Sequence, residues 1–290
     1  MIFKGYAPAI VTPFTKSGKV NYNVFKKLID FQIENGARAI VFLGTTGESA
    51  TLTQKEREEV VDFAVEYVDH RVPVIVGAGS NCTKIAIENS RKFEKLGADC
   101  LLHVTPYYNK CTQKGLIEHY SAIAKAVDIP IILYSVPSRT GVNIQPETVK
   151  ALSEIDNIVG IKEASGNISQ ISEIRRLCDE DFAIYSGDDG LTVPILSVGG
   201  AGVISVVGNA LPKYMTAICD NYFLGNIDYS KELQLALNPL IKLMFAEVNP
   251  IPIKYAMKLV GFDCGIPKLP LTEATKPIKI KIRNMIKEFL

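Results

Sequence analysis

The sequence lacks an excess of charge of either sign. Its 290 residues include 32 Lys and Arg against 31 Asp and Glu, and no run of like charges interrupts that balance. Proteins that hold nucleic acid or anionic membranes by electrostatics carry clustered basic residues. The composition therefore gives no electrostatic case for either partner.

Cysteine and histidine are few and scattered. The six cysteines form no Cys-x-x-Cys pair, and the three histidines, at positions 70, 103 and 119, lie apart. Zinc sites and disulfide frameworks need these residues at short, regular spacings. We therefore predict no metal, and reduced, mostly buried thiols, as expected of a chain without an export signal.

Export and membrane signals are also missing. The start, MIFKGYAPAI, has no charged region followed by a long apolar stretch, so we predict no signal peptide and a cytoplasmic location. One segment, 191–212, is long and uncharged, but it contains Pro194 and four glycines. We expect it to form a short helix and a buried strand, GVISVV, rather than a membrane span.

What the chain does contain is a repeated alternation of short β-branched runs with longer amphipathic stretches. Thr53 to Glu56 reads as a capping box that opens one such helix. The alternation predicts an α/β fold, a (β/α)8 TIM barrel. A doubly wound open sheet is the alternative, but no Gly-x-Gly-x-x-Gly follows the first strand. The eight predicted strands are APAIV (7–11), AIVFL (39–43), PVIVGA (73–78), CLLHV (100–104), PIILY (130–134), IVGIK (158–162), FAIYS (182–186) and GVISVV (202–207).

The strand pattern ends near residue 228. Three later segments, 229–248, 252–262 and 275–289, have helical patterns. We predict a catalytic barrel over 1–227 and a three-helix C-terminal extension over 228–290. No linker rich in Pro, Gly or Ser separates them, so the extension is expected to pack on the barrel.

Polar and reactive side chains gather where the predicted strands end, which is where active sites lie in this fold. The loop GTTGES (44–49) lacks the Gly-Lys-Ser/Thr of a P-loop, but its hydroxyls could hold a small carboxylate. Tyr134 ends the fifth strand, Arg139 follows in a loop, and Lys162 ends the sixth strand. Each has an ordinary explanation alone: a core tyrosine, a solvated cation, and a lysine that reaches the rim. Together they indicate a site.

Lys162 suggests the chemistry. A free lysine, with a pKa of about 10.4, is almost fully protonated at pH 7, whereas burial that brings the pKa to roughly 7–8 makes it a nucleophile. Ile158, Val159 and Ile161 are expected to supply the apolar surroundings, and Glu163 to face outward against a helix end. The amine would attack a ketone while a tyrosine shuttles protons and an arginine grips a carboxylate. We predict Schiff-base catalysis with no metal or organic cofactor.

These motifs together resemble the dihydrodipicolinate synthase and N-acetylneuraminate lyase family over nearly the whole chain. The resemblance rests on APAIVTPF, GTTGESATL, VTPYYN, YSVPSRTG, GIKEASG, SGDD and NPIPIK. It implies a barrel with a C-terminal helical domain, a homotetramer built as a dimer of dimers, and a lyase that forms a class I Schiff base with pyruvate. The motifs are most similar to the branch that condenses pyruvate with L-aspartate 4-semialdehyde to give 4-hydroxy-tetrahydrodipicolinate, in lysine and diaminopimelate biosynthesis.

The resemblance also implies catalytic roles for single residues. Lys162 would be the Schiff-base lysine and Tyr134 the proton shuttle. Thr45 would relay protons between Tyr134 and Tyr108, which in the family reaches in from a neighbouring subunit.

Four further residues would bind substrate by the same resemblance. Thr46 would hold the pyruvate carboxylate, and Gly187 and Ile204 would offer backbone contacts near it. Arg139 would grip the carboxylate of the semialdehyde, where sialic-acid lyases have an apolar residue. Two alternatives stay open: a pyruvate-dependent class I aldolase or lyase acting on a sugar acid or other aldehyde, and a non-catalytic barrel that binds a keto acid.

Regulation is where the chain departs from the family. Residues that line an allosteric pocket between subunits of lysine-inhibited members are present as Ser49, Ala50, Asn81 and Tyr107. Those members have histidines where this chain has Gln54 and Arg57, and a glutamate where it has Ile85. Because the side chain of isoleucine cannot neutralise the positive charge of lysine, we predict weak or absent feedback inhibition by lysine.

Overall fold

Strands and helices alternate along the chain as predicted. The computed structural model describes all 290 residues. Each strand overlaps the run predicted for it, although the first begins and ends earlier than predicted. The strands are β1 (Gly5–Pro8), β2 (Ile40–Phe42), β3 (Val74–Gly77), β4 (Cys100–Val104), β5 (Ile131–Ser135), β6 (Ile158–Glu163), β7 (Ala183–Ser186) and β8 (Gly202–Ser205).

The eight strands form one parallel sheet. Their spatial order is β1-β8-β7-β6-β5-β4-β3-β2, and a parallel bridge between Ala9 and Val41 joins the two ends of that order. The sheet therefore closes into a barrel, and closure leaves no open sheet edge. The predicted (β/α)8 barrel is confirmed.

The connecting helices cover the outside of the barrel. The capping box is present, since Thr53 Oγ1 accepts from the Glu56 N–H and Glu56 Oε2 accepts from the Thr53 N–H. The uncharged stretch 191–212 contains a short helix and β8, as expected, and none of the helices has the length and hydrophobicity of a membrane span. The helices are α1 (Tyr22–Glu34), α2 (Gln54–Val68), α3 (Thr83–Lys95), α4 (Gln113–Ala124), α5 (Pro137–Thr140), α6 (Pro146–Ser153), α7 (Ile168–Leu177), α8 (Thr192–Ser197) and α9 (Pro212–Phe223).

Three more helices follow where the helical patterns predicted them. They are α10 (Ile227–Met244), α11 (Ile251–Leu259) and α12 (Lys276–Ile286). Helix α10 packs against α9, and α11 packs against α12. The extension also bonds to the barrel, because Gln234 Nε2 donates to the Asp189 carbonyl at 3.1 Å. The exact division of the chain after residue 227 stays a prediction.

Two apolar layers build the core. The larger, of 61 buried residues, fills the space between the strands and the helices. The smaller, of 15 buried residues, fills the inside of the barrel and includes Tyr134 and Ile204. Successive residues of a strand face opposite layers, so the barrel interior is lined by alternate residues.

Candidate active site

A cavity of about 210 Å³ lies at the carboxyl ends of the strands. It is smaller than the roughly 300–1,000 Å³ of pockets that hold drug-sized ligands, so it suits a substrate of few atoms. Six of the predicted site residues line it: Thr45, Thr46, Tyr134, Arg139, Lys162 and Gly187.

Lys162 lies inside this cavity rather than at the rim. Its residue is only 5% exposed, and it forms no ion pair with a carboxylate. Its Nζ lies 4.5 Å from the centroid of the Tyr134 ring, over the ring. The strand pairing explains this contact, because Tyr134 of β5 and Lys162 of β6 are register partners. The alternative of a lysine that extends to solvent is therefore wrong.

Burial changes the acidity of Lys162. It lowers the pKa of the ammonium to about 8, the buried Asp189 carboxylate raises that pKa, and the Arg139 guanidinium lowers it. At a pKa of about 8, roughly one amine in ten is neutral at pH 7. Lys162 therefore has the protonation behaviour that a nucleophilic amine needs.

The apolar surroundings of Lys162 are not those expected from its neighbours in sequence. Ile158 and Ile161 belong to the outer layer between strands and helices, so that prediction is wrong for both. Ile161 is turned away by the strand alternation. Ile158 is turned away because the pairing of β5 with β6 skips Val159, a bulge that shifts the alternation. Only Val159 packs against the inner layer.

Glu163 faces outward, as predicted. It is fully buried, and its Oε2 accepts from Gln170 Nε2 of α7 at 3.1 Å. Its Oε1 accepts from the Ser165 N–H at 2.7 Å. Burial raises the pKa of this carboxyl, and the bonds from Ser165 and Gln170 lower it. Glu163 thus ties the end of β6 to α7 and does not enter the cavity.

Tyr134 can exchange protons beside the amine. Burial raises the pKa of its phenol, which the Arg139 charge and a hydrogen bond with the Thr45 side chain lower. The phenol therefore stays protonated at neutral pH and can donate and accept. The structure brings the predicted lysine, tyrosine and threonine together in one chain.

The loop 44–49 presents Thr46 to the cavity. Asn249 Nδ2 donates to Thr46 Oγ1 at 2.9 Å, so the hydroxyl hydrogen of Thr46 is free to donate to a substrate oxygen. Leu43, just before this loop, and Glu48, near its end, have left-handed backbones with φ of 54° and 56°. Such conformations cost about 1–3 kcal/mol each for a residue other than glycine and persist where the surroundings hold them.

Arg139 and Gly187 also line the cavity. Arg139 lies on the short α5 and is exposed at the cavity mouth. It forms no ion pair with a carboxylate of the chain, so its guanidinium can donate hydrogen bonds to a substrate carboxylate. A Cβ on Gly187 would lie 2.8 Å from the Cβ of Ala164 and 3.1 Å from Cε of Lys162. Glycine at this position leaves room for the lysine.

Two predicted residues do not line the cavity. Ile204 is buried in the inner layer. Tyr108 is 91% exposed, with a left-handed φ of 73°. Ile204 thus lies in the same inner layer as Tyr134, whereas the side chain of Tyr108 points to solvent.

Two residues that the sequence reasoning did not assign belong to the site. Asp189, within SGDD, is fully buried, accepts from the Val206 and Val207 N–H groups at 3.0 and 3.1 Å, and acts on the charge of Lys162. Asn249, within NPIPIK, bonds Thr46. Both motifs were part of the family resemblance, which was the only signal for them.

A second cavity, of about 440 Å³, adjoins the first and shares four lining residues with it: Thr45, Val136, Arg139 and Asn249. Ser49, Ala50, Arg57 and Tyr107 also line it. Asn81 lies next to it, since its Nδ2 donates to the Tyr107 carbonyl at 3.1 Å. The predicted allosteric residues are therefore neighbours, and a cation, Arg57, lies among them.

Comparison with known proteins gives consistent matches over the whole chain. Residues 2–289 match the model of the dihydrodipicolinate synthetase family. The chain is 52% identical over 287 residues to a 4-hydroxy-tetrahydrodipicolinate synthase of Alkaliphilus oremlandii, covering 99% of each sequence. It superposes on the crystal structure of dihydrodipicolinate synthase from Thermotoga maritima with a TM-score of 0.97, 45% identity and 99% coverage of each chain. It also matches the chloride-inhibited dihydrodipicolinate synthase from Acinetobacter baumannii complexed with pyruvate, with a TM-score of 0.96, 39% identity and full coverage of both chains.

Proposed function

The chain belongs to the dihydrodipicolinate synthetase family, and from that premise we infer its reaction. It is a lyase that condenses pyruvate with L-aspartate 4-semialdehyde through a Schiff base, giving 4-hydroxy-tetrahydrodipicolinate for lysine and diaminopimelate biosynthesis. The observation that carries this function is the position of Lys162: a buried amine with a pKa of about 8, over the Tyr134 ring, in a cavity sized for a small keto acid.

The first step joins pyruvate to the enzyme. The neutral Nζ of Lys162 attacks the keto carbon of pyruvate, and loss of water leaves an iminium ion. The departing oxygen needs a proton, which the Tyr134 phenol gives, and Thr45 relays protons to Tyr134. The Thr46 hydroxyl donates to the pyruvate carboxylate. Its orientation follows from the bond it accepts from Asn249.

The second step forms the carbon–carbon bond. The iminium withdraws electrons, so the methyl carbon of pyruvate becomes acidic. The Tyr134 phenolate that the first step leaves takes a proton from this carbon, which gives an enamine and restores the phenol. That carbon attacks the aldehyde carbon of the semialdehyde, whose oxygen takes up a proton from Tyr134. Arg139, exposed at the cavity mouth, holds the carboxylate of the semialdehyde, and its planar guanidinium suits a bidentate contact.

Product release uses the second substrate. Its own amine attacks the carbon bound to Lys162, closes the ring and displaces the lysine as a free amine. Lys162 itself serves as the electron sink, so the reaction needs no further cofactor.

The partner arrangement follows from the family. Tyr108 is 91% exposed and does not line the cavity of its own chain. In the proposed homotetramer, built as a dimer of dimers, it enters the cavity of a neighbouring subunit. Ile204 offers its backbone below the bound pyruvate. The enzyme works in the cytoplasm.

An aldehyde panel tests the function. Purified protein is incubated with pyruvate and either L-aspartate 4-semialdehyde or sugar aldehydes, and pyruvate consumption is followed. Turnover with the semialdehyde at least about tenfold above that with any sugar aldehyde is expected, because Arg139 favours a carboxylate-bearing aldehyde. Preference for a sugar aldehyde would contradict the assignment.

A further inference from the structure

A fully buried ion pair joins the C-terminal extension to the loop that holds Thr46. Lys254 Nζ of α11 lies 2.5 Å from Glu48 Oε1, and the two side chains are 2% and 0% exposed. Neither atom has any other hydrogen-bond partner. Neither residue lines the 210 Å³ cavity, so the pair does not touch pyruvate there, whereas Glu48 borders the adjoining 440 Å³ cavity.

The pair is costly to bury. Taking two charges out of water offsets much of their attraction, and a buried pair often adds little stability over apolar side chains of the same size. Burial lowers the pKa of the Lys254 ammonium, and the Glu48 carboxylate is the main group that raises it. A buried pair of this kind is therefore weak evidence for a contribution to stability.

Its surroundings hold the carboxylate in one place. The Glu48 Oε2 atom accepts from the Lys268 N–H at 2.8 Å, so both carboxylate oxygens are bound by the C-terminal extension. The Lys254 Nζ atom lies 4.0 Å from the centroid of the Phe14 ring, which limits its movement on the other side. A second ion pair, from Lys268 Nζ to Glu56 Oε1 at 2.6 Å, joins the same part of the extension to α2.

The anchored residue lies two positions from the substrate-facing hydroxyl. Thr46 faces the cavity, whereas Glu48, which has a left-handed φ of 56°, faces α11. Asn249, just before α11, donates to Thr46 Oγ1. Asn249 thus bonds the Thr46 hydroxyl, and Lys254, in the first turns of α11, pairs with Glu48 of the same loop.

We propose that Glu48 and Lys254 are positioning residues: their ion pair places the loop 44–49 so that Thr46 meets the pyruvate carboxylate. This inference rests on the proposed function, since it assumes that Thr46 binds that carboxylate. It gives the C-terminal extension a direct part in substrate affinity. Lys162 lies on β6, outside the loop that the pair holds.

The test measures pyruvate affinity by borohydride trapping, with intact mass as the readout. The central variant is Glu48→Gln with Lys254→Met, which removes both charges and keeps the side-chain volumes. The pyruvate concentration that gives half-maximal trapping is expected to rise at least about tenfold in this variant. A displacement of a binding or catalytic group by about 1 Å can lower activity about 100-fold. The adduct at saturating pyruvate should equal that of wild type.

Lys258→Met is the matched control, being the same substitution one turn further along α11 at an exposed position. It should trap pyruvate at the wild-type concentration. The single variant Lys254→Met, which leaves Glu48 buried without a partner, should be impaired more than the double variant.

Three results would each contradict either the positioning role or the proposed function. Wild-type half-saturation in the double variant would overturn the positioning role. Loss of cooperative unfolding in the double variant, with Lys258→Met intact, would also overturn it, since the pair would then hold the fold and not the loop. Absence of any adduct in wild type would instead reject the proposed function.

Discussion

The ammonium of Lys162 lies 4.5 Å from the centroid of the Tyr134 ring, and the two residues are register partners on neighbouring strands. The distance between nucleophile and proton shuttle is therefore set by the hydrogen bonding of the barrel and not by a loop. Sites built on strands in this way hold their geometry more closely than sites on loops. This relationship makes the following outcomes testable.

Tyr134→Phe should lower turnover about 100-fold or more. The substitution removes the hydroxyl that moves protons but keeps the ring beneath the ammonium, and general acid–base groups contribute on that scale. Steady-state turnover with both substrates measures it. A loss of less than about fivefold would remove Tyr134 from proton transfer.

The rate of adduct formation with pyruvate should rise with pH up to about 8 and then level off. The rate rises with pH because burial lowers the pKa of Lys162 to about 8 and only the neutral amine attacks pyruvate. Below that pH the rate should fall about tenfold per pH unit. Trapping rates between pH 6 and 9.5 at subsaturating pyruvate provide the profile. A rate that still climbs steeply above pH 9.5 would indicate an ordinary, solvated lysine.

Arg139→Lys should raise the KM for L-aspartate 4-semialdehyde about tenfold or more, because a lysine cannot form the bidentate contact. Half-saturation of trapping by pyruvate should change less than about threefold, since that step precedes the second substrate. Comparing the two measurements on one preparation separates the roles. Equal effects on both substrates would mean that Arg139 shapes the cavity in general.

Lysine should inhibit weakly or not at all. The 440 Å³ cavity contains the cation Arg57, and its one lining carboxylate, Glu48, is already paired with Lys254. Ile85 is exposed and apolar. An incoming ammonium would meet a like charge and no carboxylate from Ile85. Turnover is measured with lysine added at up to about ten times the pyruvate concentration and is compared with turnover without lysine. Half-inhibition at sub-millimolar lysine would show that the prediction is wrong.

The fold could be predicted because each strand is buried on both faces. Such strands appear as short apolar runs, and helical spacing separates them clearly. The C-terminal helices followed from the same spacing. The early start of β1 could not be predicted, since Gly5 and Tyr6 pair with β8 through contacts that lie far away in the chain.

The site could be predicted only in part. Lys162, Tyr134 and Arg139 were visible because the carboxyl ends of strands collect the chemistry in this fold. The surroundings of Lys162 were not, since the bulge at Val159 changes which side chains face inward. Asn249 and Thr46 are 203 residues apart in the sequence, and no local sequence pattern predicts a hydrogen bond between residues so far apart.

The most direct measurement is intact mass after borohydride reduction with pyruvate, on wild type beside Lys162→Ala. The account predicts one pyruvate-sized adduct per chain on wild type and none on the variant, with turnover of L-aspartate 4-semialdehyde lost in the variant alone. Equal labelling of both proteins would place the Schiff base on another lysine. No adduct on wild type would contradict the account at its centre, because Lys162 would then be a buried amine without a covalent role.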